Sequence, residues 1–210
     1  MVDVKEYLIS YNVLCTFLWG AVLARLAILF PLVGSKFVAG GLADFTRWVQ
    51  TVAILEIIHA LIGWVKSPLF TTFTQVYSRL LLVWGILYLF PDVGESLAFS
   101  TMVFAWSVTE IIRYSYYAFN LYRDGQLPKT LVWLRYNTFF VLYPLGAGSE
   151  VFLVYQSLDQ AEAFNPWYAL YLKIAILVYI PGFYMLYTHM IKQRRRVLKN
   201  LGKRKQDKRD

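Results

Sequence analysis

A tyrosine and a glutamate seven residues apart, Tyr143 and Glu150, stand inside the apolar stretch LVWLRYNTFFVLYPLGAGSEVFLVY at 131–155. Ionisable groups at membrane depth are costly and point to function. A hydroxyl and a carboxyl without a metal or nucleophile beside them suit proton abstraction and delivery, hence elimination or isomerisation. At 100° per residue Tyr136, Phe139, Tyr143, Gly146 and Glu150 share one face. Pro144 removes a backbone donor there, while Gly146, Ala147 and Gly148 leave a groove with small walls. Spacing alone leaves two equal readings, catalysis and a structural hydrogen-bond network.

The elements that must hold this pair are set by composition. Of 210 residues 58% are hydrophobic and 16% charged, with a mean hydropathy of +0.47. A soluble domain carries about 25% charged residues, so the class is membrane protein. The net charge of +8 is local: ten Lys and Arg against Asp207 and Asp210 lie at 192–210, and the rest is neutral. That tail has no aromatics, so nucleic acid is not the expected partner and a cytosolic flank is. Cys15 is the one cysteine, which excludes an internal disulfide and a cysteine-rich metal site. It sits in an apolar run and reads as a buried thiol, and no phosphatase-type loop is present.

Six apolar segments predict an all-α bundle of six transmembrane helices over 1–191, with a basic tail at 192–210. The spans are 8–33, 48–65, 73–90, 96–119, 131–155 and 167–190, the first too long for a signal-peptide core. A loop is expected at 34–46, turns at Pro91–Gly94 and around Asp124-Gly125 and Pro128, and a kink at Pro181-Gly182. Glu56 and His59 share a face, but with no second carboxylate–histidine set they predict a satisfied hydrogen bond and no metal site. Glu110, Arg113 and Tyr117 share a face where an internal salt bridge lowers the cost of insertion. Six spans put both termini on one side with Lys5, Lys66, Arg123 and Lys129. The other side holds Lys36, Asp92, Glu95, Asp159 and Glu162. The basic side belongs in the cytosol.

Tyr143 then lies about 17 Å deep by helical rise. A substrate reaching it needs a long apolar part, and an anionic head at the cytosolic mouth meets Arg79, Arg123, Lys129 and Arg135. That describes an acyl chain on a charged carrier. At neutral pH a free carboxyl is ionised and a free phenol protonated, which favours Glu150 as base and Tyr143 as acid, with Arg113 or Arg135 balancing charge.

The motifs E-I-I-R-Y at 110–114 and R-Y-N…Y-P-x-G-x-x-S-E at 135–150 resemble those of the very-long-chain (3R)-3-hydroxyacyl-CoA dehydratases, the protein tyrosine phosphatase-like A family. The resemblance covers nearly the whole chain. It implies Tyr143 and Glu150 as the catalytic pair, with Arg79, Arg113, Arg135 and Gly146 in support. It implies the third step of fatty-acid elongation at the endoplasmic reticulum, with no metal or cofactor. A long-chain acyl-CoA is the implied substrate, in a protein embedded in membrane lipid. The condensing enzyme, 3-ketoacyl-CoA reductase and enoyl-CoA reductase are the implied partners. The ending QDKRD departs from the dilysine signal frequent in the family, since Lys208 is third from last and positions four and five lack lysine. A silent scaffold of the elongation complex and a lipid transporter are the alternative readings. The transporter predicts repeated halves, and no internal repeat is visible.

Overall fold

The computed structural model describes residues 3–206, and every regular element among them is helical. Residues 207–210, with Lys208 and the incomplete dilysine pattern, lie outside the described residues.

Helix α1, Val4–Thr51, starts at Asp3, whose carboxylate accepts from the Lys5 N–H at 2.9 Å. It is a hairpin. Gly34 has φ 73° and ψ 169°, a backbone conformation essentially restricted to glycine. Two close approaches show that the chain reverses there. The Tyr11 hydroxyl donates to the Val52 carbonyl at 3.4 Å, and a Cβ added to Gly41 would meet Leu29 Cδ1 at 2.9 Å. A straight helix would hold Tyr11 and Val52 about 60 Å apart. Residues 4–33 and 35–51 are thus antiparallel arms, and the loop expected at 34–46 is replaced by helix on both sides of one glycine. Helix α2, Ile54–Leu61, extends the second arm and ends at Gly63.

Helix α3, Leu69–Leu80, runs into a π-helical turn, Leu81–Ile86. The wide turn frees the Gly85 carbonyl, which accepts from the Tyr168 hydroxyl at 2.7 Å. A 3₁₀ turn, Pro91–Glu95, precedes α4, Leu97–Tyr122, capped by Ser96. Asp124 and Gly125, both at positive φ, form the expected turn. The 131–155 span is bent. Helices α5, Lys129–Asn137, and α6, Phe139–Gln156, meet at 42°. The bend lies at Thr138, upstream of Pro144, which α6 accommodates. The acidic segment after it folds as α7, Leu158–Phe164. Helix α8, Pro166–Gln206, is continuous through Pro181 and Gly182, and the basic segment from Lys192 continues it.

Among the described residues two stretches, Val4–Leu61 and Pro166–Val197, are long and apolar enough to cross a membrane, and the bent α5–α6 pair, taken as one span, makes a third. The main core lies between α1 and α4. Tyr11, Cys15, Trp19, Val22 and Leu26 recur at helical spacing and bury with Phe99, Met102, Val103 and Trp106. That core fixes α4 as the wall on which α6 packs.

Candidate active site

Two polar clusters occupy the interior, and they differ in how their carboxylates are neutralised. The first joins α2, α3 and α4. Arg113 donates through Nε to Glu110 at 2.6 Å and through both terminal nitrogens to Glu56 at 2.7 Å. Arg79 pairs with the other Glu110 oxygen, and the Tyr114 hydroxyl donates to Glu56. Two guanidinium groups thus balance two carboxylates, with Glu110 only 2% exposed. The Glu110–Arg113 bridge expected from their spacing is present. Glu56 is satisfied by Arg113 and Tyr114, while His59 Nε2 lies 3.1 Å from the Tyr7 hydroxyl.

The second cluster centres on Glu150, buried on α6. Its Oε1 accepts from Trp106 Nε1 of α4, and its Oε2 from the Tyr179 hydroxyl of α8, each at 2.7 Å. Among the described residues no cation pairs with it. Tyr143, two turns earlier on α6, leans on α8, its ring stacked 5.0 Å from Phe183 and 6.0 Å from Tyr187. The antiparallel α6 and α8 therefore hold the pair along one seam, the carboxylate opposite Tyr179 and the phenol opposite Phe183 and Tyr187. Among the described residues neither Glu150 oxygen accepts from Tyr143. Helical rise separates the two residues by about 10.5 Å along the axis.

The supporting residues divide. Arg79 lies over the Trp106 ring at 4.9 Å and so backs the indole that holds Glu150. Arg113 belongs to the ion-pair cluster. Arg135, before the bend, donates to the Tyr117 hydroxyl at 3.2 Å and stacks on Tyr116 and Tyr117, away from the carboxylate. Tyr136 lies beside it, edge-on to Tyr116 at 6.2 Å.

Gly146 faces α4 and not an open groove. A Cβ there would lie 3.5 Å from Ala105 Cβ, 3.9 Å from Trp106 Cδ1 and 4.0 Å from Glu150 Oε1, ordinary contact distances. Alanine fits this space and leucine does not. Gly146→Leu is expected to destabilise the protein by about 1–3 kcal/mol through overpacking and to displace Trp106 and Glu150. Gly146→Ala keeps activity. Turnover and thermal midpoint of the two variants check this, and an active, stable leucine variant contradicts it.

Trp106 and Tyr179 are absent from a reading of the 131–155 stretch because they lie on other helices. The signals exist elsewhere: Trp106 stands one turn before Glu110, and Tyr179, Phe183 and Tyr187 recur every four residues on one face of α8.

Residues 50–200 match the family model described as protein tyrosine phosphatase-like protein, PTPLA. A Schizosaccharomyces pombe protein named "Probable very-long-chain (3R)-3-hydroxyacyl-CoA dehydratase" is 46% identical over 202 residues, covering 95% of this chain and 96% of its own. The Arabidopsis thaliana very-long-chain (3R)-3-hydroxyacyl-CoA dehydratase PASTICCINO 2 is 38% identical, covering 92% of this chain and 93% of its own. The human very-long-chain (3R)-3-hydroxyacyl-CoA dehydratase 2 is 35% identical, covering 95% and 83%. No solved structure matches.

Proposed function

We propose, for a chain that belongs to the protein tyrosine phosphatase-like PTPLA family, that it is a hydro-lyase converting a very-long-chain (3R)-3-hydroxyacyl-CoA to the trans-2-enoyl-CoA, the dehydration step of fatty-acid elongation. The observation that carries a site at Tyr143 and Glu150 is the contrast between carboxylates. Glu56 and Glu110 are bridged directly to arginines, whereas Glu150 accepts its hydrogen bonds from uncharged donors. A carboxylate kept for structure is paired; one kept for chemistry has to be able to take a proton. A carboxylate has about four lone-pair positions, and Trp106 and Tyr179 take two, which leaves room for a C2 proton.

In this reading the reacting carbons of the acyl-CoA lie against the α6–α8 seam between the two side chains, C2 within reach of Glu150 and the 3-hydroxyl within reach of Tyr143. Glu150 takes the C2 proton reversibly to give the thioester enolate, whose electron pair then becomes the second C2–C3 bond. The C3–O bond breaks, and the departing oxygen takes the Tyr143 proton to leave as water. Glu150 then gives its proton to water and Tyr143 regains one from water, which resets the pair. No redox step is involved. Purified protein given a long-chain (3R)-3-hydroxyacyl-CoA should release the enoyl-CoA with loss of one water. Folded protein that leaves the substrate unchanged would overturn the reading in favour of a scaffold.

The membrane arrangement is six crossings with both termini cytosolic, in the endoplasmic reticulum membrane, beside the condensing enzyme and the two reductases of the cycle. Contacts at the ends of the helices support it. Lys5 pairs with Asp124 at 2.7 Å, and Tyr7 meets Trp64 at 5.3 Å. Lys36 meets Glu95 at 3.7 Å, and Phe90 lies 6.1 Å from Phe164. The N-terminus and the second and fourth connections therefore cluster, and so do the first, third and fifth. Protease added outside sealed microsomes should digest the basic tail and spare the Asp159–Glu162 segment. The reverse pattern contradicts the orientation.

A further inference from the structure

The Glu150 carboxylate is held from two helices at once, and only one of its holders is fully buried. Trp106 is 2% exposed, with its indole edge-on to Trp19 at 6.4 Å and Arg79 over its face. Tyr179 comes from α8, one turn before Phe183, and is only partly buried. The same face of α8 thus supplies the hydroxyl on Glu150 and the rings on Tyr143.

The terminal torsion of a glutamate is broad, so burial of the chain does not by itself fix the plane of the carboxylate. One donor on each oxygen does. A base has to stand within hydrogen-bond reach of the proton it removes, and a misplacement of about 1 Å costs about a hundredfold. The geometry points to Tyr179 as a positioning residue for Glu150, holding the Oε2 edge so that the free lone pairs face C2 of the substrate. Tyr179 keeps its own proton throughout. Helix α8 is then part of the catalytic unit and not only a wall of the acyl groove. The inference rests on Glu150 being the base.

The test uses full-length Tyr179→Phe, which keeps the ring and removes the donor. Its kcat and KM are measured with the (3R)-3-hydroxyacyl-CoA, unlabelled and deuterated at C2. Loss of a hydrogen bond to a charged group should lower kcat at least about tenfold. KM should stay within about twofold, since binding is untouched. The deuterium isotope effect should rise, because C2–H cleavage becomes more limiting. A variant that merely folds less well lowers kcat with the wild-type isotope effect, and that result overturns the inference, as does an unchanged kcat. Trp106→Phe removes the opposite donor and is read in the same way if the first variant does not accumulate; it must move kcat and the isotope effect in the same directions. Glu150→Gln serves as the control: full activity there defeats the assignment of Glu150 itself, whatever Tyr179 does.

Discussion

Tyr143→Phe and Glu150→Gln should each cut dehydration by at least about a hundredfold, the low end for losing a positioned acid or base, while the protein remains folded. Both changes nearly preserve volume. The glutamine amide still accepts from one donor in the 2.7 Å pair formed by Trp106 and Tyr179. In Tyr143→Phe the ring is kept, and with it the stacking on Phe183 and Tyr187. Activity and folding are therefore separable here. The double variant should lose little beyond either single one, because residues that act as a unit are not additive. Turnover of the purified variants, beside their thermal midpoints, checks the expectation. Near-normal turnover in either would move the chemistry away from the α6–α8 seam.

The second large effect is on stability. Arg113→Met removes the group that neutralises both Glu56 and Glu110 and leaves two carboxylates in the interior, Glu110 with a single cation and Glu56 with none. Breaking a buried pair in this way costs about 3–5 kcal/mol, against total stabilities of about 5–15 kcal/mol. Most of the protein should fail to fold or should melt early. Arg113→Lys should fall between, since an ammonium cannot serve Glu110 through Nε and Glu56 through a fork at once. Glu56→Gln should be milder, because Arg113 keeps Glu110. Thermal midpoints in detergent order the three, and an Arg113→Met protein as stable as wild type would contradict the network.

How much of this was legible in the chain depends on whether the cause was local. Apolar runs and the Asp124-Gly125 turn mark where helices begin and end, and the Glu110–Arg113 pair follows from i,i+3 spacing on α4. Gly34 shows the limit. The sequence around it reads as a loop, yet one positive-φ glycine lets both arms remain helical because Leu29 and Gly41 pack across the hairpin. The π turn at Leu81–Ile86 offers the Gly85 carbonyl to the Tyr168 hydroxyl, more than eighty residues away, a contact that no local pattern encodes. At the site, Tyr143 and Glu150 share one helix and one face, so periodicity places them together. Trp106 and Tyr179 meet Glu150 only through the packing of α4, α6 and α8, which no spacing within one segment encodes. Arg135 does not reach the carboxylate because about 22 Å of helical rise separates it from Glu150, and its guanidinium lies over Tyr116 and Tyr117.

The division of labour between the two residues is tested most directly by following exchange of the C2 proton of the (3R)-3-hydroxyacyl-CoA with deuterium oxide. Glu150 as base and Tyr143 as acid predicts that wild type incorporates deuterium at C2, that Tyr143→Phe still does so although water is not released, and that Glu150→Gln does not. Exchange retained by Glu150→Gln and abolished by Tyr143→Phe would contradict it.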